Sequence, residues 1–422
     1  MLAGILPVLG RTFYRPHPRM HPYLASSVKK LTSTILSFSL LTVMAGAVVA
    51  PALGIIGEHF SDASPLAIKF VVGLPPLFIV LVNLFFDRIC RLAGTRTIAL
   101  TGVLLYVASG AGGFFVDSLP VLLVLRALLG IAVGLVMPLS VGLLAYYYPP
   151  EEMSRLMGLS AAMNQAGGVI ATLLAGFLAA VSWNFAFLVY LLGLAVAVMV
   201  ALWLPNERIG VESDASPFAG RIALFRRFHP SVVGMFLCTV AFFAFVSNFA
   251  LAARSNFSMR AITLVMVGVD IVAAFAGFFF GRIFRWSPRS VKYVPPAFFL
   301  LGFAILSFGV GRGGMVAAGA LLGFANGIGV PYLNTIASLK GGARSVTTVL
   351  PLLSAALFLG QFVCAPLVEA ISGMLPVPAK CAVWVAAVFV SFAYLVQTFA
   401  TRKSQVVFAR NAEDSNSPHH KE

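Results

Sequence analysis

The chain has 422 residues, of which 60% are hydrophobic and only 10% charged, with a net charge of +15 and a mean hydropathy of +0.96. A soluble domain carries roughly 25% charged residues, so a water-soluble globular protein is excluded and an integral membrane protein is indicated. The basic surplus lies between apolar runs, which makes it a topology signal and argues against a nucleic-acid partner.

Taken in chain order, Met1–Gly10 is too short to span a bilayer, and the apolar run after it is too long for a signal-peptide core. Residues 1–30 read as a cytoplasmic tail, with Met20 as an alternative start. About twelve apolar runs follow, over 31–55, 66–86, 97–116, 119–147, 156–180, 183–204, 231–252, 259–281, 293–311, 314–338, 345–371 and 378–400. Each approaches the length a membrane-spanning helix needs, about 20 residues, and none shows the alternation of a membrane barrel. Residues 31–204 and 231–401 form two sets of six, joined by the polar segment 205–230 with Pro205, Asp214, Pro217, Arg226 and Arg227. Residues 402–422 read as a second cytoplasmic tail. Cys90, Cys238, Cys364 and Cys381 have no metal-ligand spacing, and no cofactor or metal is expected.

Lys and Arg fix the orientation. Arg11, Arg15, Arg19, Lys29 and Lys30 precede the first span; Arg88, Arg91 and Arg96 follow the second; Arg282, Arg285, Arg289 and Lys292 follow the eighth. The opposite connections hold only Arg254, Arg260, Arg312 and Lys380. By the positive-inside rule both termini are cytoplasmic, which requires an even number of spans.

The two sets of six are copies of one unit. Ala127-Leu128-Leu129-Gly130-Ile131-Ala132-Val133-Gly134, with Pro138 after it, recurs 193 residues later as Ala320-Leu321-Leu322-Gly323-Phe324-Ala325-Asn326-Gly327, with Pro331 after it. Phe85-Phe86-Asp87-Arg88-Ile89-Cys90-Arg91 recurs at an offset of 194 as Phe279-Phe280-Gly281-Arg282-Ile283-Phe284-Arg285. Leu159-Ser160-Ala161-Ala162 recurs at the same 194 as Leu353-Ser354-Ala355-Ala356. Internal duplication in a membrane protein points to a secondary transporter with its site between the halves. The fold class expected is therefore all-α integral membrane: about twelve transmembrane helices in two pseudo-symmetric bundles.

Asn83 to Leu92, with Asp87, Arg88 and Arg91, resembles the Gly-x-x-x-Asp-Arg-x-Gly-Arg-Arg loop of the major facilitator superfamily, although both glycines and the last arginine are replaced. Arg126 and Gly130 match that family's Arg-x-x-x-Gly in the fourth helix. Within the family the chain looks most like the drug:proton antiporter branch, of whose fifth-helix Gly-Pro-x-x-Gly-Gly element Gln165-Ala166-Gly167-Gly168 keeps the glycine pair. The resemblance implies alternating access between two bundles. It also implies a gating role for the loop aspartate: Asp87 would latch the cytoplasmic side by meeting the start of the eleventh helix, whose N-terminus attracts negative charge. Arg88 and Arg91 flank it. The helices that line the family's cavity would place Asn248, Asn326, Tyr332 and Asn334 beside substrate, with Asn164 and Gln165 as further polar candidates.

Gly, Ala, Leu and Pro are duplicated between the halves, whereas intramembrane charges are not. Asp270 corresponds to Pro76, Arg126 to Gly319 and Asp87 to Gly281. Asp270 lies about 16 Å from either end of its expected span, where a carboxylate costs about 2.5–3.5 kcal/mol, so it should face protein or water; it is the candidate proton carrier. Arg126, about 9 Å deep, could tune a carboxylate or hold an anionic substrate. Lys69 is shallower and is expected to snorkel.

The function these residues support is secondary active transport in a bacterial inner membrane, with proton-coupled efflux of small apolar or amphipathic compounds first. Proton-coupled uptake of a metabolite or organic anion is the alternative. A polytopic membrane enzyme would need a cluster of His, Asp, Glu or Ser at one depth, which is not found. The partners expected are a small-molecule substrate, protons and the bilayer, and the chain is expected to act as a monomer.

Overall fold

In the computed structural model, which describes residues 25–208, 218–309, 311–341 and 345–401, thirteen α-helices carry the chain. The first half holds α1 (Ala25–Ala47), α2 (Leu53–His59), α3 (Pro65–Leu92), α4 (Thr95–Gly112), α5 (Leu119–Tyr147), α6 (Pro150–Ala179) and α7 (Gly193–Trp203). The second holds α8 (Phe218–Ala253), α9 (Met259–Trp286), α10 (Val294–Ser307), α11 (Arg312–Gly341), α12 (Ser345–Gly373) and α13 (Ala379–Ala400). No strand occurs among the described residues. Among the described residues, eleven helical segments are long and apolar enough to cross a bilayer; the sixth is completed by a 3-10 stretch over Trp183–Leu192 that runs into α7. Both tails lie outside the described residues.

Three elements depart from the sequence reading. The expected ninth span is short, Val291–Ser307 with its leading turn, because Pro295 and Pro296 sit in the first turn of α10 and Gly309 ends it with φ 64°, a left-handed conformation that glycine adopts without steric cost. The extra helix α2 connects α1 to α3. In addition, α8 begins at Phe218, inside the segment expected as linker.

The duplication extends to caps and contacts. Ser64 accepts a hydrogen bond from Ala67 N at 3.2 Å at the start of α3, and Ser258, its counterpart, accepts from Ala261 N at 3.4 Å at the start of α9; each satisfies an amide that the helix leaves open. Gly130 on α5 lies against the Pro75 carbonyl of α3, and Gly323 on α11 lies against the Val269 carbonyl of α9, where a Cβ would stand 2.6 Å from the oxygen. Gly134 meets Ile79 and Val82; Gly327 meets Ala273 and Ala276. Small residues let helix backbones approach where apolar contact with lipid gives no advantage. So α3 packs on α5 as α9 packs on α11, and α1 on α6 as α8 on α12.

The halves meet along two seams, α3 with α12 and α6 with α9. Polar side chains tie the interior of the first bundle: Ser39 of α1 bonds Ser140 of α5 at 2.9 Å and Ser160 of α6 at 2.5 Å. We call the face bearing Arg88, Arg91, Arg282 and Arg285 the basic face, and the opposite one the α2 face.

Candidate functional site

Asp270 is placed by its neighbours. The Val269 carbonyl, one residue before it, is held by Gly323 of α11, so α9 is fixed from behind. From the other bundle, Thr172 of α6 donates from Oγ1 to Asp270 Oδ2 at 3.0 Å. The unduplicated carboxylate therefore lies on the α6–α9 seam and is half-buried. Thr172 was not singled out in the sequence; its repeat counterpart is Pro366, as that of Asp270 is Pro76. The hydrogen-bonded pair occupies one seam where the other has two prolines.

Beside Asp270, toward the basic face, α6 and α9 diverge around a cleft of about 300 Å³ lined by Gln165, Ala166, Val169, Ile170, Ile271, Ala274 and Phe275. Toward the α2 face the same helices close, with Gly176 of α6 pressed onto Thr263 of α9. Gln165 is thus brought next to the carboxylate's helix, and Asn164, beside it, keeps a buried Oδ1 with no donor among the described residues.

Arg126 does not join Asp270. Its side chain is wholly buried within the first bundle. Nη1 donates to Tyr190 Oη at 2.9 Å, and Tyr190 Oη donates to the Ala45 carbonyl of α1 at 2.8 Å. The guanidinium lies 5.0 Å from the ring centre of Phe187 and 5.1 Å from that of Tyr190. Cation–π contact of this kind is worth up to about 2 kcal/mol when desolvated. None of the ion pairs among the described residues includes it.

Lys69 corrects an expectation. It does not snorkel to the surface: it is 4% exposed and donates from Nζ to Glu369 Oε2 at 2.5 Å across the α3–α12 seam. A counter-charge in the other bundle satisfies it where lipid-facing extension would not. Glu369 was overlooked, although its repeat counterpart is Ala175 and the same absence of duplication marks it. Phe70 stacks on Phe362 along this seam, 5.7 Å between ring centres. Nearby, Arg254 clamps Glu58 of α2 through Nε and Nη2 at 2.7 and 2.6 Å, and Gly54 lies against the Ala250 carbonyl of α8. Arg254 holds the Glu58 carboxyl below its usual range, chiefly through that hydrogen bond. These links between the halves lie at the α2 face.

The remaining candidates are dispersed. Asn248 is buried and donates to Ala244 O of its own helix at 2.8 Å. Asn326 and Asn334 are half-buried on α11, and Tyr332, buried, turns its ring toward Phe284 of α9 at 6.4 Å. Arg88 and Arg91 are exposed. Asp87 belongs to α3 by its backbone, but its side chain lies outside the described residues. No group of three or more His, Cys, Asp or Glu that could hold a metal occurs among the described residues.

Residues 35–365 match the family model described as Major Facilitator Superfamily. The chain belongs to the major facilitator superfamily. Solved structures of similar fold include a bacterial homolog of the human lysosomal transporter Spinster in an inward-facing, unoccupied conformation, at 16% identity and a TM-score of 0.71, covering 91% of this chain and 99% of that one. A D-xylose–proton symporter matches at 15% identity and a TM-score of 0.68, covering 88% and 97%. The nucleoside transporter NupG matches at 13% identity and 0.63, covering 89% and 99%. Membership points to a multi-pass membrane transporter rather than an enzyme. In this superfamily member the α3–α12 and α6–α9 seams are the boundary between the two halves, and Asp270, Lys69 and Glu369 are ionisable side chains of candidate spanning helices on that boundary.

Proposed function

We propose that this chain is a proton-coupled secondary transporter of the drug:proton antiporter type, exporting small apolar or amphipathic compounds by alternating access, with Asp270 as the proton carrier. The observation that carries the reading is the Thr172–Asp270 hydrogen bond: a carboxylate on the seam between bundles changes surroundings when the bundles rock. Protonation and the opening of that seam are then linked. The apolar cleft beside it favours substrates with an apolar body, and its position within spanning helices gives them a path from the bilayer.

The basic face is read as cytoplasmic from the positive-inside rule, which makes the ion pairs at the α2 face an outer closure and the structure inward-facing. The superfamily's loop aspartate suggests the complementary closure, Asp87 against the start of α12 with Arg88 and Arg91 beside it. Asn326, Tyr332, Asn334, Asn248, Asn164 and Gln165 remain candidates for polar substrate contacts, and the working unit is taken as one chain.

A second reading, uptake of an organic anion, draws on Arg126, a buried cation that no carboxylate of the described residues pairs. Flux in everted inner-membrane vesicles from a bacterial host, compared across lipophilic compounds and organic anions with and without an imposed pH gradient, separates the two. Gradient-dependent accumulation of lipophilic compounds supports export. Gradient-driven loss of preloaded anions from the vesicles, without accumulation of any lipophilic compound, overturns it in favour of uptake, and no gradient dependence for any class overturns proton coupling.

A further inference from the structure

Two arginines in this molecule present the same chemistry with different outcomes. Arg254 uses the Nε–Nη2 edge of its guanidinium as a fork, with Nε on Glu58 Oε1 at 2.7 Å and Nη2 on Glu58 Oε2 at 2.6 Å. That planar two-point match is what a guanidinium offers to a carboxylate. Arg126 carries the same edge inside the first bundle. There Nε and Nη2 are both buried and have no acceptor among the described residues, while Nη1 alone is engaged, on Tyr190. Tyr106 packs edge-on against Tyr190 with 5.4 Å between ring centres, and its own hydroxyl is buried without a partner. The side chains carrying these three donors thus share the Tyr190 ring as a neighbour, the guanidinium 5.1 Å and the Tyr106 ring 5.4 Å from its centre, with Phe187 on the guanidinium as well.

A buried guanidinium with two of its three nitrogens lacking an acceptor is costly, and the aromatic faces beside it offset only part of that cost. We infer that Arg126 and Tyr106 form a binding site for the carboxylate of an organic anion, with the Nε–Nη2 edge taking both oxygens, the Tyr106 hydroxyl donating to one of them, and an apolar body lying among the rings. The three groups are enclosed in this conformation, so the site admits its ligand as the protein moves through its cycle. The break between α1 and α2 lies just beyond the Ala45 carbonyl that holds Tyr190. The inference rests on the transporter reading and gives its second form a substrate chemistry; the site is independent of Asp270, which lies on the seam with Thr172.

The test uses the purified full-length protein in detergent and radiolabelled benzoate as probe, measured by equilibrium dialysis. Saturable binding of one benzoate per chain is expected, competed by acetate, more weakly by chloride and not by benzamide. Arg126→Gln should weaken it at least tenfold and Tyr106→Phe several-fold, whereas Gly158→Ala, at an open helical position outside both sites, should leave it unchanged; binding read at equilibrium without a pH gradient keeps this result separate from the fate of proton coupling. Should Arg126→Gln fail to fold, Arg126→Lys keeps the charge without the fork, and the preference for acetate over chloride should disappear. Exchange of trapped benzoate across vesicles by the wild type, lost in Arg126→Lys, identifies the carboxylate as cargo; binding without exchange identifies it as a co-ligand, and either supports the site. No saturable benzoate binding, equal competition by benzamide, or wild-type affinity in both Arg126→Lys and Tyr106→Phe would overturn it.

Discussion

Lys69 Nζ donates to Glu369 Oε2 at 2.5 Å across the α3–α12 seam, joining the two halves at the α2 face through a lysine that is 4% exposed. Removing one partner of a fully buried pair costs about 3–5 kcal/mol; the Glu369 side chain is 36% exposed, so the loss here is smaller, although Lys69 is left buried without its counter-charge. Glu369→Gln should therefore open the α2 face, raising the labelling rate of a cysteine introduced at Gly73 by a membrane-impermeant thiol reagent. The exchanged pair Lys69→Glu with Glu369→Lys should restore the wild-type rate. Unchanged labelling in Glu369→Gln would mean the pair does not hold the halves together.

Glu58 and Arg254 form the second link, half-exposed and correspondingly weak: such pairs are worth about 0–1 kcal/mol. The Glu58 carboxyl is held below its ordinary value of 4.5 by the Arg254 hydrogen bond. A lowered pKa means stabilisation present above the unfolded-state value and lost as the pH falls through the folded one. Thermal melts should show the wild type slightly more stable than Glu58→Gln at pH 6, with the gap closing as the pH falls below 4.5 and through the lowered folded-state value. A gap that widens on acidification would contradict the pairing.

Glycines that meet backbone should behave oppositely to those that meet nothing. Gly323→Ala drives a Cβ to 2.6 Å from the Val269 carbonyl oxygen, while at Gly158 no atom lies within 4 Å. Overpacking costs about 1–3 kcal/mol, whereas alanine for glycine at an open helical position gains up to about 1 kcal/mol. A lowered melting temperature for Gly323→Ala beside an unchanged or raised one for Gly158→Ala is expected. Equal effects would remove the packing explanation of the duplicated Gly-x-x-x-Gly pairs.

Asp87→Asn tests the closure proposed at the basic face. Folding should persist, and cysteines placed at Asn326 and Pro331 should label faster from the cytoplasmic side as the inward-open population grows. Unchanged labelling together with unchanged transport would leave Asp87, with Arg88 and Arg91, as a marker of topology only.

Much of the architecture is legible in the chain because the bilayer demands it. Apolar runs of spanning length, the basic connections and the repeat at 194 residues follow from hydropathy and spacing. The short α10 was harder to see: the apolar pattern runs past Ser307, and only Pro295, Pro296 and Gly309 signal its ends. Absence of duplication singled out Asp270, which lies on the seam. Applied to Glu369, the same criterion would have found the partner of Lys69, which depth alone misassigned to snorkelling. Thr172 is unduplicated as well, its counterpart being Pro366, but it is uncharged, and a threonine in a helix of small residues commonly bonds its own backbone; that it turns to Asp270 is a property of how the halves pack. Asn248, by contrast, does bond its own helix, at Ala244.

The most direct measurement takes one preparation of Asp270→Asn in proteoliposomes and follows both pH-gradient-driven accumulation and substrate exchange at zero gradient, using a substrate identified in the vesicle screen. The asparagine mimics the protonated carboxyl permanently and can still accept a hydrogen bond from Thr172. Exchange should continue at a rate near that of the wild type, because a neutral carrier still alternates, while accumulation driven by the gradient should fall to the passive level. Accumulation retained at the wild-type level would contradict the assignment of Asp270 as the proton carrier.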